Sequence, residues 1–304
     1  METMNPTTDE ATPAQIVTVG VIGAGQMGSG IAHVLALAGY DVVLNDLDPK
    51  SLERALTTIG SNLDRTIRKG TITVADKEQA LTRIATTTVV ADFAKCQLII
   101  EAATEDEAIK RKIFAGIAPH IAAGTILATN TSSISVTRMA ATTPDPSRFV
   151  GMHFMNPVPV MTFVEIIRGA ATSDATVAAV VAVSDRLGKV NALVEDSPAF
   201  LVNRLLIPML NEAIFALAEG VASVEAIDTA MRLSANHPMG PLMLADYIGL
   251  DTCLSIMRIL QREFGDQKYR PCPLLVKYVD AGWLGRKTGR GFYDYSGEAP
   301  VPAR

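Results

Sequence analysis

Residues Val17 to Asp46 read VTVGVIGAGQMGSGIAHVLALAGYDVVLND, and the order of features in this stretch decides the fold. Ile16, Val17, Val19, Val21 and Ile22 form a mostly apolar run of strand length. Gly23, Gly25 and Gly28 follow it in the spacing G-x-G-x-x-G. In that spacing Gly23 permits the tight turn, Gly25 allows close approach of the backbone to a pyrophosphate, and Gly28 allows close packing of the next helix on the strand. The helix is expected to begin at Gln26 and Met27, because Ile31, Val34, Leu35 and Ala38 recur at helical spacing and give it one apolar face. Free N–H groups at its start attract phosphate. A second strand, Val42 to Asn45, ends at Asp46, about where an acid that binds a ribose 2′-OH stands in such units. A carboxylate there repels a 2′-phosphate, and no arginine follows before Arg54 to receive one. The stretch predicts a dinucleotide site for NAD rather than NADP.

The rest of the chain limits the surroundings of that site. Its 304 residues exceed a typical single domain, so two domains are expected. Hydrophobic residues make up 48% and charged residues 19%, a soluble globular composition, and no apolar run reaches the roughly 18 residues that a bilayer span needs. A net charge of −5 argues against a broad nucleic-acid surface. The three cysteines, Cys96, Cys253 and Cys272, lack C-x-x-C spacing, which fits a reducing cytoplasm and neither disulfides nor structural zinc. Residues 1–15 carry Glu2, Asp9 and Glu10 but no lysine or arginine, so they read as a disordered tail rather than a targeting segment.

After Asp46 a long helix is expected from about Pro49 to Lys69. Strands are expected at Thr87 to Val90, Leu98 to Ala102, Ile126 to Asn130, Phe149 to Phe154, Val164 to Ile167 and Val190 to Val194. Their alternation with helices implies a largely parallel sheet covered on both faces, with later strands antiparallel at one edge. Near Asp196-Ser197-Pro198 the strand signals stop, and helical patterns fill Phe200 to Glu219, Val224 to Leu233 and Leu250 to Phe264. The fold class is therefore α/β: a Rossmann-type dinucleotide-binding domain over 16–197, then a smaller all-helical domain over 198–304.

Four groups of residues are candidates for chemistry. In His153 to Glu165, HFMNPVPVMTFVE, a strand delivers a histidine to a proline-containing loop and a later strand brings up a carboxylate. A histidine held by a carboxylate suits a general base for a secondary alcohol. The competing reading is a buried structural His153 and a surface Glu165. Asn130-Thr131-Ser132-Ser133 follows an apolar strand and can hydrogen-bond a substrate oxygen, or can simply cap the next helix. Glu105 and Lys110 can face a ligand or form a solvated helical face. Arg65, Arg68 and Lys69 are either another such face or a cationic ridge for phosphates.

These segments together resemble the (S)-3-hydroxyacyl-CoA dehydrogenase family, most of all its bacterial 3-hydroxybutyryl-CoA branch. The resemblance rests on GAGQMG (Gly23 to Gly28), NTSS (Asn130 to Ser133), HFMNPVP (His153 to Pro159), DSPAFLVNRLL (Asp196 to Leu206), PMGP (Pro238 to Pro241) and GRKTGRGFYDY (Gly285 to Tyr295). It implies reversible oxidation of an acyl-CoA substrate with NAD, needing no metal. His153 would be the base, Glu165 its orienting partner, and Ser132 and Asn203 the hydrogen-bonding groups around the substrate oxygen. Asp46 would bind the adenosine ribose, and Glu105 and Lys110, with Asn130 and Ser132, would lie toward the nicotinamide. Lys69 would meet coenzyme A.

Two residues depart from the family pattern: Asn62 stands where many relatives have a serine that contacts coenzyme A, and Ala199 replaces a common glycine. The competing functions are a dehydrogenase of a 3-hydroxy acid without coenzyme A and a non-catalytic, crystallin-like NAD-binding protein. The family's usual homodimer suits the helix around Leu205 to Ala218. There Leu205, Leu206, Met209, Leu210, Ala213, Ile214 and Leu217 make an apolar stripe, and Ile207, Phe215 and Ala216 widen it. Burial of all of these within one subunit is the simpler alternative.

Overall fold

The structure, a computed structural model, describes residues 16–303, so the tail expected over 1–15 lies outside the described residues. The chain divides into two compact units, with the boundary between Asp196 and Ser197.

The first unit contains, in order, β1 (Thr18–Ile22), α1 (Gln26–Leu37), β2 (Asp41–Asn45), α2 (Pro49–Arg68), α3 (Val74–Thr82), β3 (Ile84–Thr87), β4 (Leu98–Glu101), α4 (Glu107–Ile117), β5 (Ile126–Thr129), α5 (Val136–Ala140), β6 (Phe149–Phe154), β7 (Phe163–Arg168), α6 (Asp174–Arg186) and β8 (Val190–Glu195). The strands form one sheet in the order β3-β2-β1-β4-β5-β6-β7-β8. β1 pairs in parallel with both β2 and β4, so the winding reverses beside it and leaves a crevice at the carboxyl ends of β1 and β4. Central strands covered on both faces are largely apolar, and β4 and β5, apolar except for Glu101 and Thr129 at their ends, are fully buried. β7 runs antiparallel to β6, and β8 runs parallel to β7, so the last two strands oppose the rest.

Two local expectations need correction. The strand expected at Thr87 to Val90 lies earlier, because Ile84 pairs with Val42 and Thr87 with Asn45. Beyond it, Thr87 Oγ1 accepts the Val89 N–H and donates to Asp92, which turns the chain into a short 3₁₀ segment, Val90–Lys95, that buries Phe93. α3 is an additional helix, beyond those expected. Its start is a capping box, in which the Thr73 side chain accepts the Asp76 N–H and Asp76 accepts the Thr73 N–H.

The second unit is helical: α7 (Val202–Ala218), α8 (Val224–Ser234), α9 (Pro241–Ile248), α10 (Leu250–Phe264) and α11 (Pro273–Asp280). To these it adds a small ladder of β9 (Tyr293–Asp294) with β10 (Val301–Pro302), which the all-helical expectation did not include. Leu210, Ile214, Leu254, Met257 and Leu275 lie in its core. On α7 the expected stripe packs on this core through Leu206, Met209, Leu210, Ala213, Ile214 and Leu217, joined by Ile207 at 1% exposed, whereas Leu205 is 66% exposed.

Two buried carboxylates close this unit. Asp228 accepts the Leu242 and Met243 N–H groups and the Tyr293 hydroxyl. Asp246 accepts the Phe292 and Tyr293 N–H groups and the Tyr295 hydroxyl. They tie the PMGP and GRGFYDY segments together. A Cβ on Gly240 would fall on Asp228, and one on Gly291 would fall on Asp246, so neither site tolerates a side chain.

Candidate active site

The site in the first unit is assembled along one edge of the sheet. After β1 the chain turns at Gly23, whose φ of 96° favours glycine. A Cβ there would lie 2.6 Å from the Ala103 Cα, so the β1 and β4 ends approach each other only because Gly23 has none. Gly28 has the same function one turn into α1, where any Cβ would overlap the Gly23 carbonyl. Gly25 differs, because no atom lies within 4 Å of where its Cβ would be. It is the N-cap of α1 and carries no side-chain cap, and the first turn has no acidic residue. Open space in front of uncapped helix N–H groups fits the diphosphate of NAD.

Asp46, just past β2, accepts the Ala24 N–H at 2.7 Å through Oδ2 and the Asp48 N–H at 3.0 Å through Oδ1. Both bonds fix the carboxylate beside the glycine turn, and each oxygen keeps a lone pair for a ribose hydroxyl. Arg54 donates to Asp48 and Ser51 instead of standing opposite Asp46.

Past β4 and β5 the polar residues form a second cluster. One oxygen of Glu105, Oε1, accepts from Thr131 Oγ1 (2.7 Å), Ser132 N (2.8 Å), Ser132 Oγ (2.8 Å) and Ser133 Oγ (3.2 Å). Glu105 is therefore not a bare solvated charge: it anchors the NTSS turn. Capping in this turn falls to other residues, since Thr131 Oγ1 accepts the Ile134 N–H and Ser135 caps α5. Asn130 Oδ1 accepts the Phe154 N–H at 3.0 Å, which joins the carboxyl end of β5 to that of β6.

Lys110 departs from expectation. Its side chain is fully buried and its Nζ lies 2.5 Å from Glu101 Oε2, with the Asn130 carbonyl at 3.3 Å. An enclosed ammonium satisfied by protein oxygens supports the floor beneath the NTSS turn and does not line an open nicotinamide site. Glu101 was not singled out from the sequence. Its position in an otherwise apolar buried strand, with a lysine to follow, was the available signal, since charges in such strands need partners.

His153 and Glu165 occupy directly opposed positions of the antiparallel β6–β7 pair. His153 Nδ1 lies 2.6 Å from Glu165 Oε2, and the Glu165 side chain is wholly buried, which removes the reading of Glu165 as a surface charge. The carboxylate fixes the ring, leaving Nε2 as the nitrogen on the opposite side. Because β6 runs parallel to β5, His153 sits near the same sheet edge as Asn130 and Ser132.

A cavity of about 440 Å³ adjoins this edge, between Gly25, Gln26, Ser29 and Gly30 of α1, Arg54, Thr58 and Asn62 of α2, and the Asn156–Pro159 loop. Asn62 lines it. Arg65, Arg68 and Lys69 are at the end of α2 but are not among its lining residues. Gln26 Nε2 donates to Asn156 Oδ1 at 3.0 Å across the cavity mouth. In the second unit, Asn203 is half-buried in the first turn of α7. Ala199, just before that helix, has φ 61°, a left-handed conformation that favours the glycine common at this position and costs a residue with a Cβ about 1–2 kcal/mol.

The parallel sheet, glycine turn, ribose-side acid and uncapped helix define an NAD-binding dehydrogenase domain joined to a helical one. The sequence matches the family models for the NAD-binding domain of 3-hydroxyacyl-CoA dehydrogenase over residues 18–197 and for the C-terminal domain of 3-hydroxyacyl-CoA dehydrogenase over residues 200–295, and the chain belongs to that family. It is 60% identical over 291 residues to a 3-hydroxybutyryl-CoA dehydrogenase of Bradyrhizobium diazoefficiens, a match covering 96% of this chain and 99% of that protein. Identity to a 3-hydroxybutyryl-CoA dehydrogenase of Clostridioides difficile is 49%, covering 91% of this chain and 98% of that one. The crystal structure of an (S)-3-hydroxybutyryl-CoA dehydrogenase from Ralstonia eutropha superposes with a TM-score of 0.92 at 52% identity, covering 93% of this chain and all of that one. Among the described residues, no helix is long and apolar enough to cross a membrane.

Proposed function

We propose that this enzyme interconverts an (S)-3-hydroxyacyl-CoA, 3-hydroxybutyryl-CoA in particular, and the corresponding 3-ketoacyl-CoA, with His153 and Glu165 as its catalytic pair. NAD⁺, when bound, supplies the acceptor for the hydride that leaves C3. His153 Nε2 takes the hydroxyl proton as the C–O bond becomes a carbonyl, and the buried Glu165 carboxylate stabilises the imidazolium. Ser132 Oγ, which donates to Glu105 in the free protein, is assigned as a hydrogen-bond donor to the substrate oxygen, because the one proton of that hydroxyl goes to His153. Asn203 is assigned a hydrogen bond to the same oxygen on the strength of the family motif that contains it. Asp46 takes the adenosine ribose; the Gly25–Gln26 end of the cavity takes the NAD diphosphate, and its side lined by Asn62 and the Asn156–Pro159 loop, with Lys69 farther along α2 at the exposed end, takes coenzyme A.

The observation that carries this reading is the 2.6 Å His153–Glu165 pair at the sheet edge that also holds the glycine turn. The relatives' names supply the thioester. NADH consumption tests it: turnover is expected with acetoacetyl-CoA and not with free acetoacetate. No turnover with the thioester overturns the reading, and equal turnover of the free acid favours an enzyme without coenzyme A specificity.

The helical unit is further proposed to make a homodimer, which would also cover Leu205. Sedimentation showing a stable monomer of the 32.3 kDa chain at micromolar concentration would overturn that assignment. Catalysis in a reducing cytoplasm belongs to the same proposal.

A further inference from the structure

The loop Met155 to Thr162 joins the two strands that carry His153 and Glu165. It contains Pro157 and Pro159, which have no N–H groups; the Pro157 carbonyl accepts the Val160 and Met161 N–H groups within the loop, and other carbonyls need donors from elsewhere. Lys189, one residue before β8, supplies two of them. Its buried Nζ donates to the Val158 carbonyl at 2.8 Å and to the Met161 carbonyl at 2.6 Å. The opposite side of the loop is held by α1. Gln26 donates to Asn156 there, and Gly30 lies so close that a Cβ on it would come within 2.9 Å of the Val158 Cβ.

An ammonium is costly to bury. The cost extends to a neighbour: His33, also buried, has its imidazole pushed down to about 4, first by burial and then by the charge of Lys189. No step of the proposed chemistry uses Lys189. What it does hold is one wall of the 440 Å³ cavity, since Asn156, Pro157, Val158 and Pro159 all line it.

We propose that Lys189 is a positioning residue for the acyl-CoA substrate, clipping the β6–β7 loop into the shape that receives the coenzyme A portion. This rests on the acyl-CoA reading above. The clip acts on the loop and not on the catalytic pair, because His153 and Glu165 are aligned by their own strand register. Its loss should therefore appear in KM and not in kcat.

The test uses the full chain with acetoacetyl-CoA and NADH, comparing wild type with Lys189→Met, Lys189→Arg and Lys189→Gln. Lys189→Met is expected to raise KM for acetoacetyl-CoA on the order of tenfold, with kcat within about threefold and KM for NADH unchanged. Amide exchange in the Met155 to Thr162 segment should quicken. Lys189→Arg, which keeps donors within reach, should recover most of the KM. If Lys189→Met does not fold, Lys189→Gln replaces it, because its amide ends one bond short of the ammonium position and cannot serve both carbonyls. An unchanged KM for acetoacetyl-CoA in the variant that folds, or a rise confined to NADH, overturns the proposal. A wild-type enzyme that does not consume NADH with acetoacetyl-CoA removes the acyl-CoA reading itself, and the proposal with it.

Discussion

His153 and Glu165 are 12 residues apart in sequence and directly opposed across β6 and β7, with Nδ1 and Oε2 2.6 Å apart. The strand ladder sets that distance, so the pair is aligned before any substrate arrives. Replacing His153 with Gln should lower kcat by roughly 10²- to 10⁴-fold, the usual loss for a positioned general base, with little change in NADH affinity. Glu165→Gln should also cut turnover, because the imidazolium loses its buried negative partner. Steady-state kinetics with acetoacetyl-CoA checks both, and near-normal kcat in His153→Gln would remove the histidine from the chemistry.

Asp46 is proposed to set the cofactor preference. Its carboxylate is fixed by the Ala24 and Asp48 N–H groups where a ribose 2′ substituent is expected, so a 2′-phosphate would meet a held negative charge. NADH should be clearly preferred over NADPH, and Asp46→Asn should narrow the gap. Equal kcat/KM for the two cofactors in the wild type would defeat this assignment.

The Glu101–Lys110 pair separates a structural lysine from a cofactor-binding one. Both side chains are fully buried, and Glu101 also accepts from Thr129 Oγ1 and the Ala103 N–H. Lys110→Met strands that carboxylate and should cost roughly 3–5 kcal/mol of stability. The double variant with Glu101→Gln should recover part of it. Denaturant titration measures both. Loss of NADH affinity at unchanged stability would instead mean that Lys110 meets the nicotinamide.

Asp246 makes the stability of the helical unit depend on pH. Burial, the largest influence, raises its carboxyl from an ordinary 3.8 to about 6, against the N–H groups and Tyr295 hydroxyl that favour its charge. A carboxyl raised on folding contributes most stability when protonated in both states, below about 4, and loses that contribution as pH rises through about 6. The change is of order 3 kcal/mol. Relative to Asp246→Asn, which does not titrate, the wild type should lose stability between about pH 4 and 7. Comparing the two at each pH cancels His33, whose lowered pKa acts in the opposite sense over an overlapping range. Parallel stability profiles for the two proteins would show that Asp246 does not titrate in this window.

The dinucleotide-binding part of the fold was legible from Val17 to Asp46 alone, because glycine spacing and apolar periodicity are local consequences of backbone sterics and of burying one face. The bounds of α1 and α10 follow from the same local rules. Which charges are paired was not legible in this way. Glu101 with Lys110, Lys189 with two loop carbonyls, and Glu105 with the NTSS turn are meetings of residues from different elements, brought together by strand order and not by spacing along the chain. Ile207 and Leu205 make the same point on α7: both are apolar, and only the packing of the neighbouring helices decides that the first is buried and the second exposed. Sequence by itself determined the sheet, the dinucleotide turn and the identity of the candidate reactive residues, since those depend on local conformation and side-chain chemistry. Tertiary structure alone decided which polar groups are satisfied and which remain open to ligands, because the desolvation of a charge depends on everything folded around it.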